Sequence, residues 1–395
     1  MIRVGIAIPF EGNSWLGGLN YFRNLLLAVK AVPNKKIHPV LFVGKHAQRQ
    51  LAKEFPDVEI VGTRLLDARH PYRLIRRAWQ KSFGTDPFLE QFLKKQGIVV
   101  WSHSGFLGHR SSVTSIGWIP DFQHRHFPSL FSEREIIDRD RSLKGIYRHC
   151  DTILLSSEQA RSDAYSFDPD CVTKLRVLPF VSDPIPYLNK SDLTSLERRY
   201  GFTGQYFHVP NHFWAHKNHR VIVDAISLLA AKGSSIQVLA TGNTVDARQP
   251  EHFTQLMQYA RRLGVSESFK SLGIVPYEDL VGLMRHACAI INPSLFEGWS
   301  TTVEEAKSLG KQIVLSSIPV HIEQSPERGT YFDPNNSKVL ADGLLRILRH
   351  WDLVVEQAAE EKALAQLPDR QLRYGNSYQK IVLETIAGRD KRCTV

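Results

Sequence analysis

The stretch that decides the fold is Ala287-Cys-Ala-Ile-Ile-Asn-Pro-Ser-Leu-Phe-Glu-Gly-Trp-Ser-Thr-Thr-Val-Glu-Glu-Ala306. Its opening run is uniformly apolar, as in a strand buried on both faces, and Pro293 stops that strand because a prolyl nitrogen donates no hydrogen bond. Gly298 frees the following turn. Thr301, with Glu304 three residues on, is expected to form a capping box that starts a helix, which Gly310 ends. A strand, a loop and a helix in this order form half of a βαβ unit, and so predict a parallel sheet. Glu297 then falls at the C-terminal edge of the sheet and Glu305 on the first turns of the helix, with seven residues between them. Unpaired N–H groups of Ser300, Thr301 and Thr302, with the positive end of the helix dipole behind them, would favour an anion there. A phosphorylated ligand is the expected occupant.

Outward from this stretch the same alternation fills the chain. Strands are expected near Val4 to Ile8, Val40 to Val43, Val58 to Val61, Ile98 to Trp101, Thr114 to Ile119, Thr152 to Leu155 and Leu175 to Leu178. A second series covers Tyr206 to Val209, Ile236 to Ala240, Phe269 to Leu272, Ala287 to Ile291 and Gln312 to Leu315. Between them, Pro179-Phe-Val-Ser-Asp-Pro-Ile-Pro-Tyr-Leu-Asn-Lys-Ser-Asp192 carries three prolines and no periodicity, and reads as a linker. The chain is therefore α/β, with two Rossmann-like domains of parallel sheet at 1–183 and 184–370, a cleft between them, and a terminal segment 371–395 whose helix runs from about Gln371 to Ile386.

With 395 residues the chain can bury a core in each domain, and 43% apolar and 23% charged residues are ordinary for a globular protein. Cys150, Cys171, Cys288 and Cys393 show no paired spacing, which fits a reducing compartment and no zinc site. The first residues form too short an apolar run for a signal peptide, and no stretch reaches the roughly 18 apolar residues of a membrane span. A cytoplasmic location is expected. The formal charge of +10 favours phosphates, nucleic acid or anionic lipid alike.

Lys270 to Gln324 resembles the donor-binding half of the retaining glycosyltransferases of family 4, which have the GT-B fold. The motifs are Leu272-Gly-Ile-Val-Pro-Tyr-Glu-Asp-Leu280, Asn292-Pro-Ser-Leu-Phe-Glu-Gly298 and Glu304-Glu-Ala-Lys-Ser-Leu-Gly310. The resemblance implies an enzyme that moves a sugar, with retention, from a UDP- or GDP-linked donor to a hydroxyl of a glycan, either lipid-linked or a cell-surface polysaccharide precursor. It implies no cofactor beyond the nucleotide sugar and no obligatory metal. The N-terminal domain would bind the acceptor, the second domain the donor, and the final helix would pack back on the first domain.

The second domain opens with His208-Val-Pro-Asn-His-Phe-Trp-Ala-His-Lys-Asn-His219. Lys217, just before a helix start, is the first candidate for the phosphate cation. Many relatives in the resembled family carry an Arg six residues before this Lys. Here Asn211 stands in that place and brings no charge, so His216 or a residue from another loop would have to replace it. Glu297 would stabilise positive charge at the anomeric carbon, Glu305 would bind the ribose hydroxyls, and Ile274 and Val275 would flank the base. His212 and His219 suit surface or capping roles at least as well as ligand contact. Gly17-Gly18 follows the first strand as a flexible turn before a helix over Leu19 to Val29, and by resemblance faces the donor phosphates. In Trp118-Ile-Pro-Asp-Phe-Gln-His-Arg-His-Phe-Pro128, Pro120 occupies the place of the His that contacts the transferred sugar in relatives. That role could pass to Asp121, His124 or His126, with His124 favoured.

Arg69-His-Pro-Tyr-Arg-Leu-Ile-Arg-Arg-Ala-Trp-Gln-Lys81 holds five basic residues, no acid, and interleaved apolar side chains. It suits either an anionic membrane surface or an ordinary solvated helix. Two other functions fit parts of the pattern. One is a GT-B-fold epimerase of UDP-sugars; the other is a non-catalytic nucleotide or nucleic-acid binder, although no RNA or DNA module is visible.

Overall fold

The computed structural model describes residues 1–8, 16–67, 70–105, 107–108 and 111–393. Its contacts divide it into two units, Met1–Phe180 with Asp369–Val395, and Val181–Pro368.

The first unit is built on seven strands: β1 (Ile2–Ala7), β2 (Ile37–Gly44), β3 (Glu59–Thr63), β4 (Val100–Ser102), β5 (Thr114–Ile119), β6 (Thr152–Leu155) and β7 (Leu175–Val177). They form one sheet in the order β3-β2-β1-β4-β5-β6-β7, with every pairing parallel. The second unit has β8 (Phe207–Val209), β9 (Val238–Thr241), β10 (Phe269–Gly273), β11 (Ala289–Asn292), β12 (Ile313–Ser316) and β13 (Gly329–Phe332), in the order β10-β9-β8-β11-β12-β13, again all parallel. Strands β8, β9, β11 and β12 are buried at every residue. Each is apolar but for a single residue, His208, Thr241, Asn292 or Ser316, and none alternates, as expected of a sheet covered on both faces.

Three features depart from the sequence reading. Strand β13, Gly-Thr-Tyr-Phe, was not expected: three of its four residues are only partly buried or exposed, so it carries no apolar run. The last helix spans Leu353–Cys393 and passes through Pro368, where the sequence suggested a start at Gln371. The linker is not bare coil either. Its Ser182 and Ser191 are buried, and the Ser191 hydroxyl donates to Asp279 at 2.6 Å, a carboxylate that also accepts from Tyr200 and Arg199. Cys150, Cys171 and Cys288 are buried free thiols.

Within the first unit the last helix is keyed into the sheet. Tyr378 Oη donates to Ser102 Oγ at 2.9 Å, Gln379 Oε1 accepts from the Lys36 N–H at 2.7 Å, and Thr385 Oγ1 donates to Thr152 Oγ1 at 2.9 Å. Gly375 is the closest approach: a Cβ there would stand 2.1 Å from the carbonyl oxygen of Ala28, in the helix Leu16–Ala31. Propensity alone favours alanine over glycine in a helix by about 1 kcal/mol. Packing opposes it, and overfilling a tight contact costs about 1–3 kcal/mol. We therefore expect Gly375→Ala to lower the unfolding midpoint in chemical denaturation; an unchanged or raised midpoint would mean that the two helices are not in this contact.

Candidate functional site

The strand order of the second unit reverses between β8 and β11, so the loops leaving these two neighbours diverge and open a crevice at the C-terminal edge of the sheet. Both loops carry candidate residues. After β8 the chain makes a single tight turn, Ala215–Lys217, and enters the helix His219–Ala231 through Asn218 at φ 54°. Asparagine tolerates this left-handed conformation better than most side chains. Its amide also fastens the loop, donating to the carbonyls of Pro293 (3.2 Å) and Pro334 (2.9 Å). The Leu295 N–H donates to the His216 carbonyl at 2.8 Å, drawing the loop after β11 alongside.

These constraints bring Lys217 Nζ to 2.7 Å from Glu297 Oε1, with only 13% and 10% of the two side chains exposed. Burial alone would push the Glu297 carboxyl up. The Lys217 charge, with hydrogen bonds from Lys217 and Ser294, outweighs it and holds the group below the usual carboxylate range. Glu297 is thus an ionised carboxylate in a largely dry place, kept so by one ammonium group.

Glu305 differs. It is 3% exposed, accepts a 2.7 Å hydrogen bond from Tyr277 Oη, and is pushed by burial up to about 7. The tyrosine lies in the quoted motif but had been given no role. Burial first, and the Glu305 charge second, hold its hydroxyl well above the ordinary range, so it stays a donor.

The helix start is correctly placed, but its cap is not. The helix is Thr301–Ser308, and Ser300 is the cap, its hydroxyl accepting from the Val303 N–H at 3.4 Å. Glu304 does not reach back. It accepts instead from Lys307 (3.0 Å) and from Gln324 Nε2 (3.1 Å). The Ser300 N–H, expected to be open to an anion, donates to Gln324 Oε1 at 3.1 Å. The N–H groups of Thr301 and Thr302 have no acceptor among the described residues, so the anion-facing donors reduce to these two. Gln324, on the short helix Pro319–Gln324, is a structural partner that the sequence did not single out.

Asn211 is equally committed. It donates to Asn292 Oδ1 at 3.1 Å and accepts from Thr302 Oγ1 at 3.3 Å, tying the β8 loop to the helix start. His216 does not replace the missing cation: burial, then repulsion by Lys217, pushes its imidazole down to about 3 and leaves it neutral. His321, pushed down to about 4 by burial, is a second neutral ring whose charge would be felt by Glu297. On another loop, Arg248 has its guanidinium 5.6 Å from the centre of the Trp214 ring and beside Asp246, close enough for its charge to bear on His216. His212 accepts from the Asn243 N–H at 2.9 Å; His219 is fully buried and stacked on Phe213 with centroids 4.5 Å apart, not at the surface. Ile274 is 63% exposed beyond β10, Val275 is half-buried, and Gly298 lies in the bend that carries Glu297 towards Ser300.

In the first unit, Gly17 and Gly18 lie inside the helix Leu16–Ala31 rather than forming a turn before it; residues 9–15 lie outside those described. Asp121 Oδ1 accepts from the Gln123 N–H at 2.9 Å. His124 is 2% exposed, with Nε2 at 3.0 Å from Asp140 on the helix Glu133–His149 and its ring edge-on to Phe131. His126 meets Asp163 at 2.9 Å. A histidine the sequence reading passed over is His103, just beyond β4, at φ 57° with Nε2 at 2.7 Å from Tyr21 Oη. Its signal was the polar Ser-His-Ser-Gly directly after an apolar run. In the Asp-x-Asp stretches at 138–140 and 168–170, which the sequence reading overlooked, Asp138 pairs with Arg141, Asp140 with His124 and Arg125, and Asp168 caps its own turn. Among the described residues no three His, Cys, Asp or Glu side chains converge as metal ligands.

The basic stretch forms the helix Pro71–Phe83, with His70 as its cap; Arg69 lies outside the described residues. Among the described residues no helix is long and apolar enough to cross a membrane.

Residues 203–363 match the family model of the glycosyl transferases group 1. Over 95 residues the chain is 33% identical to O-antigen chain mannosyltransferase B of Escherichia coli, a match that covers 24% of each protein. Among solved structures it is similar to a glycosyltransferase from Rickettsia africae (17% identity, TM-score 0.66, covering 97% of this chain and 98% of that one). It is also similar to Anabaena HepE in complex with UDP-glucose (14% identity, TM-score 0.68, covering 98% and 100%). The chain thus has the two parallel-sheet domains of the GT-B glycosyltransferases, and its second unit carries the glycosyl transferases group 1 signature over residues 203–363.

Proposed function

We propose that the protein is a retaining, metal-independent glycosyltransferase that takes a sugar from a UDP- or GDP-linked donor bound to its second unit. The observation that carries this reading is the Lys217–Glu297 pair at the strand-order reversal. Leaving-group charge in this reaction develops on a diphosphate, and positive charge develops at the anomeric carbon. A site with one buried cation and one buried anion in contact can meet both at once. The diphosphate draws Lys217 onto itself, with the free N–H groups of Thr301 and Thr302 and the guanidinium of Arg248 beside it. Glu297, released from its partner, then faces the sugar. Departure and attack proceed on one face, and a donor phosphate oxygen receives the acceptor proton. The UDP-glucose bound by HepE and the mannosyl chemistry in the name of the Escherichia coli relative support an activated sugar as donor.

Glu305 binds the ribose hydroxyls in this account. Two hydroxyls donate more strongly to an ionised carboxylate than to a neutral carboxyl, whose own proton occupies one oxygen, and the Glu305 carboxyl, raised to about 7, is half protonated near neutrality. Donor affinity should therefore strengthen as pH rises through about 7, and Glu305→Gln should flatten the profile. Calorimetric titration of the donor between pH 6 and 8 reads this directly; a flat wild-type profile would remove Glu305 from the ribose.

Thermal-shift screening against nucleotide sugars identifies the donor, since a ligand that binds only the folded form raises its stability. With that donor, Glu297→Gln and Lys217→Ala should each reduce turnover by about 10²–10³-fold, the usual loss on removing one preorganised charge. Turnover within a few-fold of wild type in either variant would disprove the assignment.

The acceptor, bound by the first unit, is a glycan hydroxyl on a lipid carrier. Supporting this is the helix Pro71–Phe83, which presents Leu74, Ile75, Trp79 and Phe83 to solvent at 40–62% exposure, an apolar face suited to the interface of an anionic membrane. Replacing Trp79 and Phe83 with serine should abolish flotation with anionic liposomes; flotation equal to wild type, or none in wild type, contradicts this docking.

A further inference from the structure

The first unit holds a cavity of about 460 Å³ at the C-terminal edge of its sheet, where its own strand order reverses between β1 and β4. Ala7 and Ile8 close one side, His103 and Ser104 another, and the helix Pro71–Phe83 covers it with Arg73, Arg76 and Arg77. This helix is turned opposite to an ordinary surface helix. Its basic residues line the cavity, while Leu74, Ile75, Trp79 and Phe83 lie outward.

Arg76 is the informative group. Its side chain is 12% exposed, and Nε lies 3.1 Å from Asp86 Oδ2 but out of line for a hydrogen bond. Both Nε and Nη1 are shielded from solvent and lack any hydrogen-bond partner among the described residues. A buried guanidinium with unmade hydrogen bonds is costly unless something else completes them. Asp86 does not neutralise the described lining: among the described residues it is the one carboxylate there, against three guanidinium groups, and it also accepts from the Leu89 N–H at 3.2 Å. Among the described residues neither Arg73 nor Arg77 is ion-paired. Burial, with Arg73 and Arg77 pressing on it, holds Arg76 below its usual range, as expected of a cation cluster waiting for an anion.

We propose that this cavity binds the phosphate of a phosphorylated acceptor, with Arg76 supplying the buried fork and Arg73 and Arg77 the mouth. The surplus of positive charge matches a dianionic phosphate ester or a diphosphate, and planar guanidinium groups bind such oxyanions through paired hydrogen bonds. The assignment of the phosphate to an acceptor rests on the transferase reading above; the anion site itself does not. It also gives the inverted helix a purpose, since a phosphate carried by a lipid would reach the cavity past the apolar outer face.

Calorimetric titration with inorganic pyrophosphate tests the site. To silence the second unit, the titration is run in the Lys217→Met protein, where pyrophosphate binding should persist. Adding Arg73→Gln and Arg77→Gln should weaken it at least tenfold, and Arg76→Gln should do the same in a protein whose circular dichroism is unchanged. Should Arg76→Gln not fold, the Arg73→Gln/Arg77→Gln comparison decides alone. Equal affinity with and without these substitutions, or none in the Lys217→Met protein, overturns the proposal. Competition by phosphatidic acid vesicles assigns a lipid-borne phosphate, and competition by a soluble sugar phosphate alone assigns a soluble one; competition by neither also overturns it. Titration of UDP-glucose and GDP-mannose into the wild-type protein is read alongside. Failure there counts against the transferase reading, whereas insensitivity of pyrophosphate binding to the arginines counts against the cavity.

Discussion

A carboxylate at 10% exposure stays ionised when charge and hydrogen bonds offset its desolvation, and the contact between Lys217 and Glu297 supplies most of that offset. Much of the second unit serves to hold the two loops in register. Asn218 clamps the β8 loop to Pro293 and Pro334, Asn211 ties it to Asn292 and Thr302, and Gln324 braces Ser300 from the far side. The pair sits where the strand order reverses, the one place in a doubly wound sheet at which adjacent loops part and leave backbone donors facing outward. Two opposite charges in contact there form a latent site. Each satisfies the other, and on the proposed reading a ligand carrying both a negative diphosphate and a hydroxylated sugar separates them.

The neighbouring groups are tuned by burial rather than by number. Glu305 is drawn towards neutrality, His216 and His321 are held uncharged, and Lys217 is the cation in direct contact with Glu297. By its position in the loop, His216 was a candidate for a second cation. Its enclosure and the adjacent ammonium exclude the charge, while Arg248, on the loop beyond β9, is paired with Asp246 and stacked on Trp214.

The sheet was legible because strands buried on both faces are mostly apolar and need not alternate: Thr114–Ile119 and Thr152–Leu155 lie where the sequence placed them, on runs that end in large apolar residues. Gly329–Phe332 was not, since an edge strand with half its surface open needs no apolar run. The carboxylates and Lys217 were legible as residue types at a strand-to-helix junction, while their 2.7 Å contact was not, because it depends on how two loops distant in sequence are fastened. Thr301 was mistaken for a cap because Ser300 offers the same chemistry one residue earlier, and the choice between them is made by Asn292 and Gln324. The glycine pair at 17–18 was misread for a related reason: glycine permits a turn but does not compel one. The orientation of the Pro71–Phe83 helix was hidden most completely, because its sequence shows two faces without showing that the charged one points inward.

The most direct measurement is a crystal structure of the protein with the nucleoside diphosphate of its donor. The account requires Lys217 Nζ to leave Glu297 and lie within hydrogen-bonding distance of a diphosphate oxygen, with the phosphates over the N–H groups of Thr301 and Thr302. A bound nucleotide with the Lys217–Glu297 contact intact and the diphosphate elsewhere would contradict it.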